Sequence, residues 1–190
     1  MPDDKSVESF VDAAAFDAWL AANNADHPGV WMRISKKGAA EPSVSYQEAL
    51  DVALAWGWID GQKRPIDEHY WLQAFTQRRP QSVWSKRNVD KVTAMIEAGT
   101  IRPAGQAQVD AAKADGRWDR AYEGSASAKE SPEFLEALAK NPAAKKFYAT
   151  LNSTNRYALY FRVQSAKKEE TRAARIAAFV EMLAEGKTFY

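Results

Sequence analysis

An α+β fold, predominantly helical, with a small antiparallel sheet packed by helices and a C-terminal helical subdomain, is what this sequence predicts. Three observations carry that reading. Val30, Met32 and Ile34 alternate with Trp31, Arg33 and Ser35, the two-residue period of a strand with one buried face. Aromatic and β-branched runs flank the polar turn Asp67-Glu68-His69, which predicts a hairpin. After Pro80 the apolar residues fall at three- and four-residue spacing, punctuated by capping residues and glycine stops, which predicts helices only.

Taken in order, Phe16, Trp19 and Leu20 form the apolar stripe of a short helix that stops at Asn23-Asn24. The Val30 strand follows and ends at Lys36-Lys37-Gly38. Ser45-Tyr46-Gln47-Glu48 has the spacing of a capping box, in which Ser45 and Glu48 satisfy each other's orphan backbone donors. The helix it opens carries Ala49, Leu50, Ala53, Leu54 and Trp56, and Gly57 stands where a left-handed stop is needed. Trp58 to Ile66 and Tyr70 to Phe75 are the two hairpin strands, and Pro65 confines the first of them to a sheet edge. Ser85 is placed to cap a helix through Val89, Val92 and Ile96 that stops at Gly99. Pro103 starts another, which Gly116 ends. The small-residue run Gly124-Ser125-Ala126-Ser127-Ala128 divides the chain into an α+β domain at 1–124 and a helical subdomain at 129–190. Within the latter, Ser131-Pro132 and Asn141-Pro142 open helices bearing Phe134, Leu135 and Leu138, then Phe147, Tyr148 and Leu151. Tyr157, Tyr160 and Phe161, then Ile176, Phe179, Val180 and Leu183, continue the helical spacing to Gly186.

Composition narrows the function classes. Among 190 residues, 46% are hydrophobic and 27% charged, the balance of a globular chain rather than a disordered one. There is no cysteine, which excludes disulfides, thiolate nucleophiles, iron–sulfur clusters and cysteine-held zinc. The longest apolar stretch, Val52 to Ile59, is far too short to span a bilayer. Met1-Pro2-Asp3-Asp4 has no apolar leader behind it, so a cytoplasmic location is expected. A net charge of +1 conceals a gradient: residues 1–60 hold 4 basic and 10 acidic side chains, whereas residues 140–175 hold 9 and 2. That basic segment keeps anionic ligands and nucleic acid open as partners, against the plainer reading of a solvated helix face.

No dinucleotide fingerprint, phosphate-binding P-loop, zinc-protease motif or nucleophile elbow occurs, and no cofactor is expected. His27 and His69 are the two histidines, neither with companions at metal-ligand spacing, so no metal site is expected. What does stand out is the segment 56–88. It holds four of the seven tryptophans (Trp56, Trp58, Trp71, Trp84) together with Asp60, Lys63, Arg64, Arg78, Arg79, Ser85 and Asn88. Indole rings serve either as core or as the walls of a ligand pocket, and arginines ahead of a helix N-terminus suit an anion. Trp56 reads as core, Ser85 as a helix cap, and Trp84 either as a packing staple or as a pocket wall. Asp60 either closes a turn or orients a ligand, and Arg78 and Arg79 either pair with carboxylates or hold an anion.

Trp56-Gly57-Trp58-Ile59-Asp60-Gly61 and the stretch Phe75-Thr76-Gln77-Arg78-Arg79-Pro80 through Ser82, Trp84, Ser85 and Asn88 resemble two sequence boxes of the bacterial YdeI/OmpD-associated family. Asn141-Pro142-Ala143, Leu151-Asn152-Ser153 and Ala166 to Arg172, leading to Arg175-Ile176, are similar to its C-terminal part. Trp56 stands where that family has phenylalanine, Gln77 where it has proline, and Val163-Gln164 where it often has an aromatic residue. The family is named for bacteriocin protection and outer-membrane-protein association, and the resemblance implies a role in antimicrobial or stress tolerance. It brings no catalytic residue with it. It does set Trp58, Asp60, Arg78, Arg79, Trp84, Ser85 and Asn88 on family-box positions.

The expectation is therefore a protein that binds a small anionic or aromatic ligand between the sheet and the helix at Ser85. Trp58 and Trp84 would be the walls, Arg78 and Arg79 the anion holders, and Asp60, Ser85 and Asn88 the polar guides. Two alternatives stand beside it. One is a nucleic-acid-binding module that uses the basic C-terminal helices, with Tyr157, Tyr160 and Phe161 stacking on bases. The other is a cofactor-independent hydrolase or transferase with Asp60 as base.

Overall fold

The structure, a computed structural model, describes residues 5–190; the acidic start Met1-Pro2-Asp3-Asp4 lies outside the described residues. The chain separates into two compact units, one running to Trp84 and resuming over Asn88–Arg120, the other made of Ser85–Arg87 and Ala121–Tyr190.

In the first unit β1 (Ser6–Glu8), α1 (Ala13–Asn23), β2 (Val30–Ser35), α2 (Tyr46–Ala55), β3 (Trp58–Pro65) and β4 (Tyr70–Gln77) precede α3 (Lys86–Glu97) and α4 (Pro103–Ala114). The strands form one sheet in the order β1-β2-β4-β3, with β3 on an edge, where Pro65 is tolerated. The hairpin forms as expected, and β4 also pairs antiparallel with β2. The sheet is mixed rather than purely antiparallel, because the short β1 joins parallel to β2. Three residues without a readable period are too few to announce a strand.

Paired residues of adjacent strands share a face. Val30, Met32 and Ile34, opposite Phe75, Gln73 and Trp71, therefore form the inner face. Phe16 of α1 meets Phe75 there, ring centroids 5.6 Å apart, and Leu20, Leu50 and Leu54 are also buried. Each such side chain contributes roughly 1.5–3 kcal/mol by leaving water. The one-face reading of β2 needs a correction, since Trp31 on the outer face is also buried. Arg64 lies 4.1 Å over its ring and Lys5 5.8 Å from it, so two cationic side chains cover an outward indole.

Helix ends follow the local chemistry. Asp12 caps α1 by accepting from the Ala15 N–H at 2.8 Å, and the Ser45–Glu48 capping box is complete. Gly57 has φ +76°, and a Cβ there would lie 2.9 Å from the Ala104 carbonyl; at Gly105 it would lie 2.1 Å from that of Ala55. Glycine at both positions lets α4 lie directly against the end of α2.

The second unit consists of α5 (Pro132–Ala139), α6 (Pro142–Ala149), α7 (Ser153–Gln164) and α8 (Glu169–Ala184) around Phe134, Leu138, Tyr148, Leu159, Val163, Ile176, Val180 and Leu183. Ser131, Asn141 and Asn152 cap the first three of these helices. Among the described residues, no helix is long and apolar enough to cross a membrane.

Candidate functional site: a lysine-flanked tryptophan cleft

Of the seven residues singled out by sequence, the structure brings two into direct contact. Arg78 and Trp84 are 4% and 1% exposed, and the guanidinium carbon lies 3.6 Å above the indole centroid. Arg78 Nη1 donates to the Val83 carbonyl at 3.2 Å, and Trp118 packs edge-on against Trp84 at 4.9 Å. Trp58 is 1% exposed; it packs edge-on to Trp19 and donates from Nε1 to the Asn24 carbonyl at 3.3 Å. Both indoles are thus interior, and neither lines an open cleft. Arg79 is exposed, and its backbone N–H donates to Ser82 Oγ at 3.0 Å. Asn88 is buried. Ser85 belongs to the second unit, where it bridges to Tyr122.

A residue the sequence reading passed over ties down the stretch between Arg78 and Trp84. Arg117, 6% exposed, donates from Nη1 to the Ser82 carbonyl at 3.0 Å and pairs through Nε with Asp115 at 2.6 Å. Arg117 in turn holds the Asp115 carboxyl below the usual aspartate range, chiefly through their side-chain hydrogen bond. Two buried guanidiniums, Arg78 and Arg117, thus satisfy consecutive carbonyls of an irregular stretch that has no ladder of its own. Only the fold could reveal this, since 35 residues separate Ser82 from Arg117.

Asp60 leads to a different place. Its Oδ2 accepts from the Tyr46 hydroxyl at 2.8 Å, and the Tyr46 ring lies 5.9 Å from that of Trp71. Beside Trp71 opens a cleft of about 390 Å³ lined by Lys36, Lys63, Arg64, Pro65 and Trp71. Its walls follow from the pairing. Trp71 lies opposite Ile34 on β2 and Pro65 on β3, and Lys36 extends β2 by one backbone bond to His69 at 2.7 Å. Between Asp60 and Lys63 the β3–β4 register shifts by a bulge. The buried Gln73 amide holds it by donating to the carbonyls of Gly61 and Gln62 at 2.9 and 3.3 Å. Bulges re-aim side chains; this one pairs Lys63 with Gln73 on the face of Trp71 and turns Arg64 outward over Trp31.

The chemistry is that of a half-buried indole in a cleft whose lining includes two lysines and an arginine. Lys36 Nζ donates to the Asp67 carbonyl at 2.6 Å, which ties down one flank. Asp67 in turn accepts the His69 and Tyr70 backbone N–H groups, which lower its pKa. Lys63 is exposed and makes no ion pair among the described residues. Lys63 and Trp71 lie in the aromatic and basic run noted from the sequence. No local signal separates them from Trp58, which lies on the same edge strand β3 as Lys63 yet is buried, whereas Trp71 lies on the inner strand β4 and is half-buried. As for metals, no three His, Asp or Glu side chains among the described residues stand close enough to hold an ion.

The basic C-terminal segment has much of its chemistry committed inside its own unit. Arg156 caps carbonyls of Leu151 and Ala149, Arg162 donates to Ala158, and Arg175 donates to the Arg162 carbonyl and Ser165. The Tyr157 hydroxyl donates to the Glu123 carbonyl, the Tyr160 hydroxyl accepts the Glu123 N–H, and Phe161 packs edge-on to Tyr122.

Comparison with known proteins divides the chain in two. Residues 8–108, over half of it, match the model of a domain of unknown function (DUF8412). Residues 128–186 match the model described as bacteriocin-protection, YdeI or OmpD-associated. Both tryptophan-bearing boxes therefore fall in the first match, and the family resemblance read from sequence is carried by the C-terminal part. No curated protein and no solved structure matches. The chain thus belongs to the DUF8412 family and carries a YdeI/OmpD-associated domain on its C-terminal side.

Proposed function

We propose that the protein binds a small aromatic anion, with the Lys36–Trp71–Lys63 cleft rather than the Trp58–Trp84 region as its receptor. The observation that carries this reading is a half-buried indole and two lysines lining a cleft of about 390 Å³, the size of a small-molecule site. An aryl ring stacks on Trp71 while its carboxylate or phosphate meets the ammonium groups. The Asp60–Tyr46 pair stands behind Trp71 as a polar support. On this reading 1–124 is the binding domain and 129–190 a separate helical domain. The likeness of the latter to bacteriocin-protection proteins supports a role in tolerance of a toxic compound. The same geometry favours binding over the two alternatives. Tyr157, Tyr160 and Phe161 are engaged within their own unit rather than presented to bases, and Asp60 receives a phenol rather than facing the cleft alone.

Intrinsic tryptophan fluorescence titrated with benzoate, salicylate and phenyl phosphate tests the proposal. Saturable quenching is expected, with Kd between roughly 10 µM and 1 mM for ligands of this size. Trp71→Leu should remove the signal, and Lys63→Glu should weaken binding about 10-fold or more. Quenching that is absent, or that survives both substitutions unchanged, overturns it.

A further inference from the structure

The last four residues of the chain occupy a peptide-shaped site on the second unit. Asn155, 6% exposed, uses both ends of its amide on one residue: Oδ1 accepts the Tyr190 N–H and Nδ2 donates to the Tyr190 main-chain oxygen, each at 3.3 Å. A paired donor and acceptor on the backbone of one residue reads main chain rather than side chain. The neighbouring residue supplies the anchor. Phe189 is partly buried against the helical core and edge-on to Phe179 at 5.2 Å, with the Arg162 guanidinium 4.0 Å over its ring. The Tyr190 side chain, by contrast, is 75% exposed. The site thus grips one aromatic ring and the backbone N–H and oxygen of the next residue, and ignores that residue's side chain.

We propose that this groove of α7 and α8 is a binding site for an extended peptide segment with an aromatic anchor, and that the chain's own Lys187–Tyr190 fills it in cis. The occupant is set by what sits there: a phenylalanine in the Phe179–Arg162 pocket, followed by a residue of any side chain whose N–H and C=O pair with Asn155. The tail lies in no helix or strand, and beyond the Lys187 N–H bond to the Met182 carbonyl that closes α8 it is held by one ring and the two Asn155 bonds. A peptide in trans can therefore exchange with it. Because the tail competes intramolecularly at an effective concentration on the order of millimolar, the unaltered chain binds such a peptide only weakly. Freeing the groove raises the apparent affinity.

A fluorescein-labelled Lys-Thr-Phe-Tyr peptide, followed by anisotropy, is the probe. The full chain carrying Phe189→Gly should bind it at least about 10-fold more tightly than the unaltered chain. Adding Asn155→Ala, or replacing the peptide's phenylalanine by alanine, should return binding to the weak level. Circular dichroism confirms that each variant is folded. If Phe189→Gly is folded yet does not bind, or binds equally well without Asn155, the tail is a structural strap and the proposal fails. Should Phe189→Gly not fold, hydrogen exchange on the unaltered chain decides: several millimolar peptide should speed exchange of the Tyr190 amide, and an unchanged rate overturns the proposal.

Discussion

Two cation-and-indole neighbourhoods in the first unit differ sharply: Arg78 lies on Trp84, whereas Lys63 and Trp71 line one cleft. The first is interior: the guanidinium lies flat on the ring and donates to the Val83 carbonyl, and Arg117 serves the preceding carbonyl. In the second, Lys63 stands on the edge strand β3 with no ion-pair partner among the described residues, and Trp71 on the neighbouring β4 borders a cleft. What separates them is the state of the nearby backbone. An irregular stretch without a ladder offers its carbonyls to the buried guanidiniums, and an interior carbonyl left unsatisfied costs about 1–3 kcal/mol. A strand already paired on its inner side makes no such demand, and Lys63 stays exposed.

Four substitutions sharpen that contrast. Trp84→Ala should cost the most, about 3–5 kcal/mol, because it empties a fully enclosed indole site packed by Arg78 and Trp118; chemical denaturation measures it. Arg78→Ala should cost about 2–3 kcal/mol from a desolvated ring contact and the lost carbonyl bond. Ligand affinity at Trp71 should be unchanged by it, and a binding defect without loss of stability would assign the interior pair to function. Asp115→Asn acts through pH. Arg117 lowers the folded-state pKa of Asp115, so the stabilisation is complete at neutral pH and is lost as pH falls through the carboxylate range toward that depressed value. Melting temperature recorded from pH 7 to 3 should therefore decline less steeply in the Asn variant. Lys63→Glu should have the smallest effect on stability, within about 0.5 kcal/mol, while weakening the ligand.

The elements legible in the sequence are those whose signal is local. Ser45 and Glu48 lie within one turn of each other and form their capping box as spaced; Ser131 and Asn141 each cap from three residues away. Gly57, Gly99, Gly116 and Gly186 all take positive φ where the pattern placed helix stops. Strand β1 escaped because its pairing partner supplies its only definition. The candidate site was half legible. Segment 56–88 contains the cleft residues Lys63, Arg64, Pro65 and Trp71, but tryptophan composition cannot separate an enclosed ring from an open one. Trp58 and Trp71 differ only in what folds over them, and Lys36 enters from another strand altogether.

The bulge in β3 has a consequence for sidedness. Counting by twos from Asp60 would put Lys63 beneath the sheet with Trp31 and hand the guanidinium of Arg64 to Trp71. One surplus residue, pinned by the Gln73 amide, inverts that parity for everything downstream. A slip of a single position would exchange the two cations between opposite surfaces with no change of amino acid, so the identity of the charge greeting a ligand is written in strand length as much as in composition.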